Sequence, residues 1–437
     1  MFTKKIFVLS AGQMLNTVIS SLFGIYVTRL LGPQDKGVLV VALGSCDLMA
    51  MLFSFGIPYS AAYYIRSHPG SESLVLKYAN RTMIASGLLS LVLVALGKEL
   101  FASFFLEGKT IDLFMMLLLV LLVMVNSGNG IIGATLVAQG DSKGFAVSAN
   151  LSTLVNMAVT FVLILLLDKK LHAVILGTLA GTLVATVIMR RRYRLFVRPG
   201  AQVRLTLTAR EFFVYGFQAQ LGALASLLFK RIDVYIISHW LSIGAVGYYS
   251  VGTSLRDVAL TVSRALAGLA GGEMADPVKQ KDGTARKILR SGILFNVAIS
   301  VAMLGIAAVL FPFAIPFAYG AAFARSVTPS LIIMGSLLPM AIALLIGKAI
   351  HARGKPLLLS IGYVIGALLS SFSVWLLTNR YGINGAALAT IVGSVILLVI
   401  SWLVLWMAEK DQNRPAQSSS STDSEETQVA LCGKNSP

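Results

Sequence analysis

Six formally charged residues fall inside one apolar stretch from Leu227 to Gly272: Lys230, Arg231, Asp233, Arg256, Asp257 and Arg264. The rest of the stretch is apolar enough for two membrane-spanning helices joined by a short turn. A charge at mid-bilayer costs about 2.5–3.5 kcal/mol on the insertion scale, so such residues face a protein partner or a watery cavity. Six in one hairpin point to a polar chamber inside a membrane protein. A seventh, Asp47, lies in the second apolar run. At 1.5 Å per residue, Asp47 sits ~15 Å below Gly37, while Arg256 and Asp257 sit ~13–15 Å below Gly247 and Lys230 and Arg231 ~13–15 Å below Trp240. Five charges on three helices thus share one level near the midplane, and Arg264 follows on the face of Asp257, about two turns nearer the inner side. Four cations against three carboxylates leave a positive surplus, which suits an anion. The competing expectation is local pairing, of Asp233 with Lys230 one turn away and of Arg231 or Arg256 with Asp47 or Asp257. Lys230 and Arg231 differ by about 100° around a helix, so both need not face the chamber.

The elements that position these residues follow from composition. Of 437 residues, 56% are hydrophobic and 13% charged, with a mean hydropathy of +0.80. That profile belongs to a polytopic membrane protein and excludes a soluble globular one. The formal charge of +17 is largely topological and implies no nucleic acid partner. Cys46 in an apolar run and Cys432 in the tail give no disulfide framework. There is no GxxxxGK[ST] loop, HExxH or CxxC, and the four histidines form no metal constellation, so neither an enzyme nor a cofactor or metal is expected. The first apolar run, Ile6 to Val27, reads as a retained helix.

About 20 apolar residues cross the hydrocarbon core, and by that measure the chain predicts an all-α fold of about twelve spans. They lie near 6–30, 38–65, 79–104, 112–138, 144–167 and 171–189, then 212–240, 245–272, 290–318, 326–350, 357–378 and 383–408. The expected domains are an N-terminal six-helix bundle (1–189), a basic cytoplasmic linker (190–211), a C-terminal bundle (212–408) and a disordered Ser-rich tail (409–437). Lys and Arg concentrate on the side that carries both termini, which predicts cytoplasmic termini. The arginines of the linker read as a positive-inside anchor against anionic headgroups.

The halves repeat when residue n is laid on roughly n + 210: Gly37 falls on Gly247, Asp47 on Asp257, and the turn Val137 to Gly144 on Ile350 to Pro356. Even span numbers make the repeats parallel, an arrangement that places a site at their interface. Gln13, Asn16, Asn126, Asn129, Asn150, Asn156, Gln218, Gln220 and Asn296 either line a lumen that accommodates sugar or bond between helices. Pro58, Pro312 and Pro316 predict kinks, and the steps Gly177 to Gly181 and Gly362 to Gly366 predict close helix packing.

GIYVTRLLGPQDKGVLVVALG (Gly24 to Gly44), FSFGIPYSAAYYIR (Phe53 to Arg66) and KRIDVYIISHWLSIGAVGYYSVG (Lys230 to Gly252) carry a likeness to a known family. On these motifs the chain resembles the oligosaccharide flippases of bacterial O-antigen and exopolysaccharide synthesis, within the superfamily of multidrug-and-toxin extruders and the lipid II flippase. The resemblance covers residues 1–408. It implies two six-helix bundles around a central cavity, alternating access, and undecaprenyl-pyrophosphate-linked oligosaccharide as cargo, carried to the periplasmic leaflet of the bacterial inner membrane. On this expectation Lys230, Arg231, Arg256 and Arg264 bind substrate, Asp47 and Asp257 couple a proton or sodium ion, and Arg29 is a gate or structural residue. The expected partners are the lipid-linked oligosaccharide, membrane lipids and a polysaccharide polymerase complex. A drug or metabolite extruder of the same superfamily is the alternative. A polymerase or polyprenyl-linked glycosyltransferase fits poorly, because the outer loops are too short for an active site.

Overall fold

The computed structural model describes residues 2–67, 72–105, 112–196, 209–274, 283–353 and 356–412. Within these it is helical throughout, with twelve α-helices and one 3-10 helix. α1 (Phe2–Leu52) is broken at Gly32, whose φ of 73° lies in the left-handed region. Pro33 follows it and starts the second arm, where a missing N–H costs nothing. α2 (Ile57–Ser67) continues that arm after a 54° bend. The bend falls at Phe55 and Gly56, both at positive φ, just ahead of Pro58 as the sequence predicts.

α3 (Glu72–Phe105), α4 (Leu113–Ala138), α5 (Ser142–Leu166) and α6 (Lys170–Arg194) complete the first half. Asp112 caps α4 by accepting from the Met115 amide at 3.2 Å, and Asp141 caps α5 by accepting from Gly144 at 2.9 Å. The expected linker starts as helix: Arg190–Arg194 form the last turn of α6, where cations complement the helix dipole.

The second half comprises α7 (Ala209–Trp240), α8 (Ile243–Met274), α9 (Thr284–Tyr319), a 3-10 turn (Ala321–Ser326), α10 (Val327–Met334), α11 (Leu337–Ala352) and α12 (Pro356–Gln412). α12 breaks at Gly382, φ 59°. α10 and α11 form one span bent by 44°. Counting the two arms of α1 and of α12 separately gives the twelve expected spans. α8 is 32 residues long, yet it is absent from the helices apolar enough to cross a membrane on composition alone. Arg256, Asp257 and Arg264 are what make it polar.

The largest buried cluster joins the halves, packing Val27, Leu31 and Val41 of α1 with Ile237 of α7 and Ile243 and Val246 of α8. The repeat is visible there. A Cβ on Gly37 would collide with the Ile243 carbonyl and one on Gly247 with the Pro33 carbonyl, so both helix starts need glycine for their backbones to meet. Gly177 and Gly181 press in the same way on Asn156 and Ser152 of α5, as expected of that step. Residues 197–208 of the linker, the tail beyond 412, and Lys109, Lys279, Lys281 and Lys355 lie outside the described residues.

Candidate functional site

The neighbouring cations of α7 turn to different surroundings, as a 100° step around the helix requires. Lys230 lines a recess inside the second half, of about 400 Å3 counted with its open mouth. Phe229 and Asp233 of α7, Arg256 of α8, Ser370 of the first arm of α12 and Thr390 of the second share that lining. Arg231 instead lies within electrostatic reach of Asp47 on α1. Asp47 makes no ion pair within 4.0 Å among the described residues.

Asp233 corrects one expectation. It does not pair with Lys230. Its carboxylate accepts from the amide of Val234 at 2.8 Å and from the Tyr249 hydroxyl at 2.5 Å. The Tyr249 oxygen lies 2.7 Å from Thr390 Oγ1. Tyr249 is fully buried and Asp233 is 8% exposed, so this chain of side chains ties α7, α8 and the second arm of α12. Leaving such a carboxylate unbonded inside the bundle would cost several kcal/mol.

Asp257 organises α8. Its Oδ1 accepts from Arg256 Nη2 at 3.3 Å and from Arg264 Nη2 at 3.4 Å, and its carbonyl accepts from Arg264 Nη1 at 3.4 Å. Asp257 and Arg264 stay about half exposed, at 51% and 48%, whereas Arg256 is 13% exposed. Arg256 points inward, and its Nε is buried without a hydrogen-bond partner among the described residues. One carboxylate therefore serves two arginines. The expected shared level resolves into two groups: Asp47 with Arg231, and Lys230, Arg256, Asp257 and Arg264 around α8. The groups touch electrostatically, since Lys230 lies within reach of Arg264, Asp257, Arg256 and Arg231.

Arg29 ends the first arm of α1 and donates from Nη1 to the Phe317 carbonyl at 3.2 Å. That carbonyl belongs to the last turn of α9, where a cation meets the negative end of the helix dipole. Arg29 is thus a clasp between the halves, remote in sequence from the other site residues. A second clasp lies in the N-terminal part of α7. Ser60 donates to the Phe212 carbonyl at 2.6 Å, Gln220 donates to Met51 and Leu52 carbonyls at 2.7 and 3.3 Å, and the rings of Tyr63 and Tyr215 stack at 4.6 Å.

Of the polar residues open to two readings, those with visible partners mostly bond between or along helices. Thr153 donates to Asn16, Asn129 to Thr182, and Thr160 to Asn156, while Gln220 fastens the clasp above. Asn296 is fully buried with neither amide atom bonded among the described residues. The side chain of Gln13 lies outside the described residues. Sequence reasoning missed Tyr249 and Thr390, and also Tyr235 of α7 and Ser45 of α1, whose hydroxyls lie 3.2 Å apart. None carries a charge, and each finds its partner through a fold contact that has no linear signal.

No curated protein matches the chain. Solved structures do, over nearly its whole length. An inward-facing multidrug resistance MATE family transporter of the MOP superfamily superposes with a TM-score of 0.68 at 16% identity, covering 94% of this chain and 100% of that one. The D35N mutant of the Vibrio cholerae MATE transporter VcmN gives 0.67 at 16%, covering 94% and 98%. A MOP superfamily transporter from Pyrococcus furiosus, described as having a binding pocket of reversed polarity that suggests a different function, gives 0.64 at 15%, covering 93% and 95%. At these identities the likeness establishes the fold. Residues 2–269 match the family described as polysaccharide biosynthesis protein. With more than half its length matched, this polytopic membrane chain belongs to the polysaccharide biosynthesis protein family and has the fold of MOP-superfamily transporters.

Proposed function

We propose that this protein is a flippase that carries a polyprenyl-pyrophosphate-linked oligosaccharide from the cytoplasmic to the periplasmic leaflet of a bacterial inner membrane, by alternating access between its two halves. The observation that carries the proposal is the charge on α7 and α8: among the described residues Arg231 has no ion pair within 4.0 Å, and Arg256 and Arg264 share the carboxylate of Asp257. A pyrophosphate is a multivalent anion matched to arginine forks and a lysine point charge. Family membership supplies the sugar, and the prenyl chain stays in lipid.

In this scheme Arg231, Arg264, Lys230 and Arg256 hold the headgroup, and Asp47 and Asp257 are the carboxylates that release arginines to it. A proton or sodium ion that discharges Asp47 frees Arg231, which is a direct route to coupling. Arg29, on the Phe317 carbonyl, is the gate residue. Both termini are cytoplasmic, and a polysaccharide polymerase is the fitting partner downstream. An extruder of cationic drugs would need an acidic chamber, and the surplus here is basic.

Single replacement of Arg231, Arg256 and Arg264 by Ala tests the scheme. Surface polysaccharide is expected to fall while the protein stays in the membrane. Unchanged polymer in every variant would remove the assignment of these residues.

A further inference from the structure

The recess beside Lys230 lies wholly within the second half, its walls supplied by α7, α8, α11 and both arms of α12. It is a side chamber, separate from the seam where the halves meet. Lys230 is exposed and Asp233 buried, which sets the mouth at Lys230 and the floor at Asp233. The offset that lays Asp47 on Asp257 also lays Ser20 on Lys230, Phe23 on Asp233 and Cys46 on Arg256. The first half thus keeps neutral residues where the second half keeps charge, so the charges of the recess are no requirement of helix packing.

Two cations line this recess, and its one carboxylate serves neither. Asp233 is taken by the Val234 amide and the Tyr249 hydroxyl. Lys230 makes no ion pair within 4.0 Å among the described residues, and Arg256 shares with Arg264 the carboxylate of Asp257, which is not in the lining. The Nε of Arg256 is buried without a partner among the described residues. Like charges beside one chamber repel by an energy that grows as water is excluded, and an anion between them turns that repulsion into two attractions. The lining sets its size and charge. Phe229, Ile232, Met340 and Val374 are apolar, so desolvation weighs against a multiply charged ion. Ser394 donates to the Thr390 carbonyl at 2.7 Å and the Thr390 hydroxyl meets Tyr249, which leaves Lys230, Arg256 and Ser370 to face an occupant. Three donors surround a monatomic ion but leave most oxygens of a pyrophosphate bare.

We infer that the recess is a binding site for one small monovalent anion of the halide class, held between Lys230 and Arg256. Its consequence for transport rests on the flippase reading. A phosphate that arrives at the mouth competes for Lys230, so the headgroup loads by displacing the small anion, and chloride is a competitor of the cargo. Lysine suits that exchange, because one flexible ammonium at the mouth can turn from one anion to the next.

The experiment titrates the full chain in nanodiscs with sodium chloride or bromide, at an ionic strength held constant with sodium gluconate, and reads thermal unfolding and the line width of the chloride NMR signal for wild type, K230Q and K230R. Both halides are expected to raise the unfolding temperature of the wild type. K230Q is expected to weaken chloride binding by roughly tenfold, the loss of one charge-assisted contact, and K230R to restore most of it. Unfolding in gluconate alone reports folding of the variants. Inorganic pyrophosphate should narrow the chloride line of the wild type. Equal unfolding temperatures in chloride and gluconate overturn the site, and a wild-type chloride response in folded K230Q overturns its place in the recess. A chloride line that pyrophosphate leaves broad overturns the displacement. Movement of a polyprenyl-pyrophosphate lipid in proteoliposomes prepared in gluconate reports the flippase reading by itself, which fails if the lipid stays still while the halide response persists.

Discussion

Gly37 and Gly247, 210 residues apart, each lie against the opening turn of the other's helix, Gly37 on Ile243 and Gly247 on Pro33. The two halves therefore meet at equivalent points, and the second helix of each half crosses its counterpart at backbone contact. Arg29 on Phe317 and Gln220 on Met51 add hydrogen bonds between the halves at two further places.

A methyl group at Gly37 or Gly247 has nowhere to go except into a carbonyl. Gly37→Ala and Gly247→Ala are each expected to destabilise the purified protein by about 1–3 kcal/mol, the usual range for overpacking. Gly268 on α8 is the control, because nothing lies within 4 Å of a Cβ built there. Thermal unfolding in nanodiscs should show Gly268→Ala at or above wild type, since Ala is the better helix former by about 1 kcal/mol.

The link from Asp233 through Tyr249 to Thr390 makes a graded prediction. Tyr249→Phe strips the carboxylate of a buried donor and is expected to cost about 1–3 kcal/mol, while Thr390→Val removes one neutral hydrogen bond and costs about 1 kcal/mol. The double variant should cost less than the sum, because the residues act in series. Strict additivity in unfolding measurements would mean the three do not form a chain.

Outside the spans, Asp112 gives a pH signature. Partial burial pushes its carboxyl up, but hydrogen bonds from His172, the Met115 amide and Lys169 outweigh this and hold it below the ordinary carboxylate value. A depressed folded value contributes stability above about pH 4, the unfolded value, and loses it as pH falls through the folded one. Asp112→Asn should therefore lower the unfolding temperature slightly at neutral pH, with the difference closing in acid. The group is exposed, so the effect stays within about 1 kcal/mol.

The spans and the repeat were legible because both are written in local terms. Apolar runs of bilayer length mark the helices, and paired glycines at a fixed offset mark the crossing. The charged level was legible as depth along helices. Its division into two groups was not, since the partner of Asp233 sits on the next helix and the third member of the chain, Thr390, is 141 residues beyond Tyr249.

The central claim is that the basic residues of α7 and α8 serve an anionic lipid headgroup. Proteoliposomes holding the full chain and a fluorescent polyprenyl-pyrophosphate oligosaccharide test it most directly, read by accessibility of the sugar to an impermeant reagent. The account predicts movement of the lipid across the bilayer, lost in Arg231→Ala, with no transport of a cationic dye. Dye transport without movement of the lipid would contradict it.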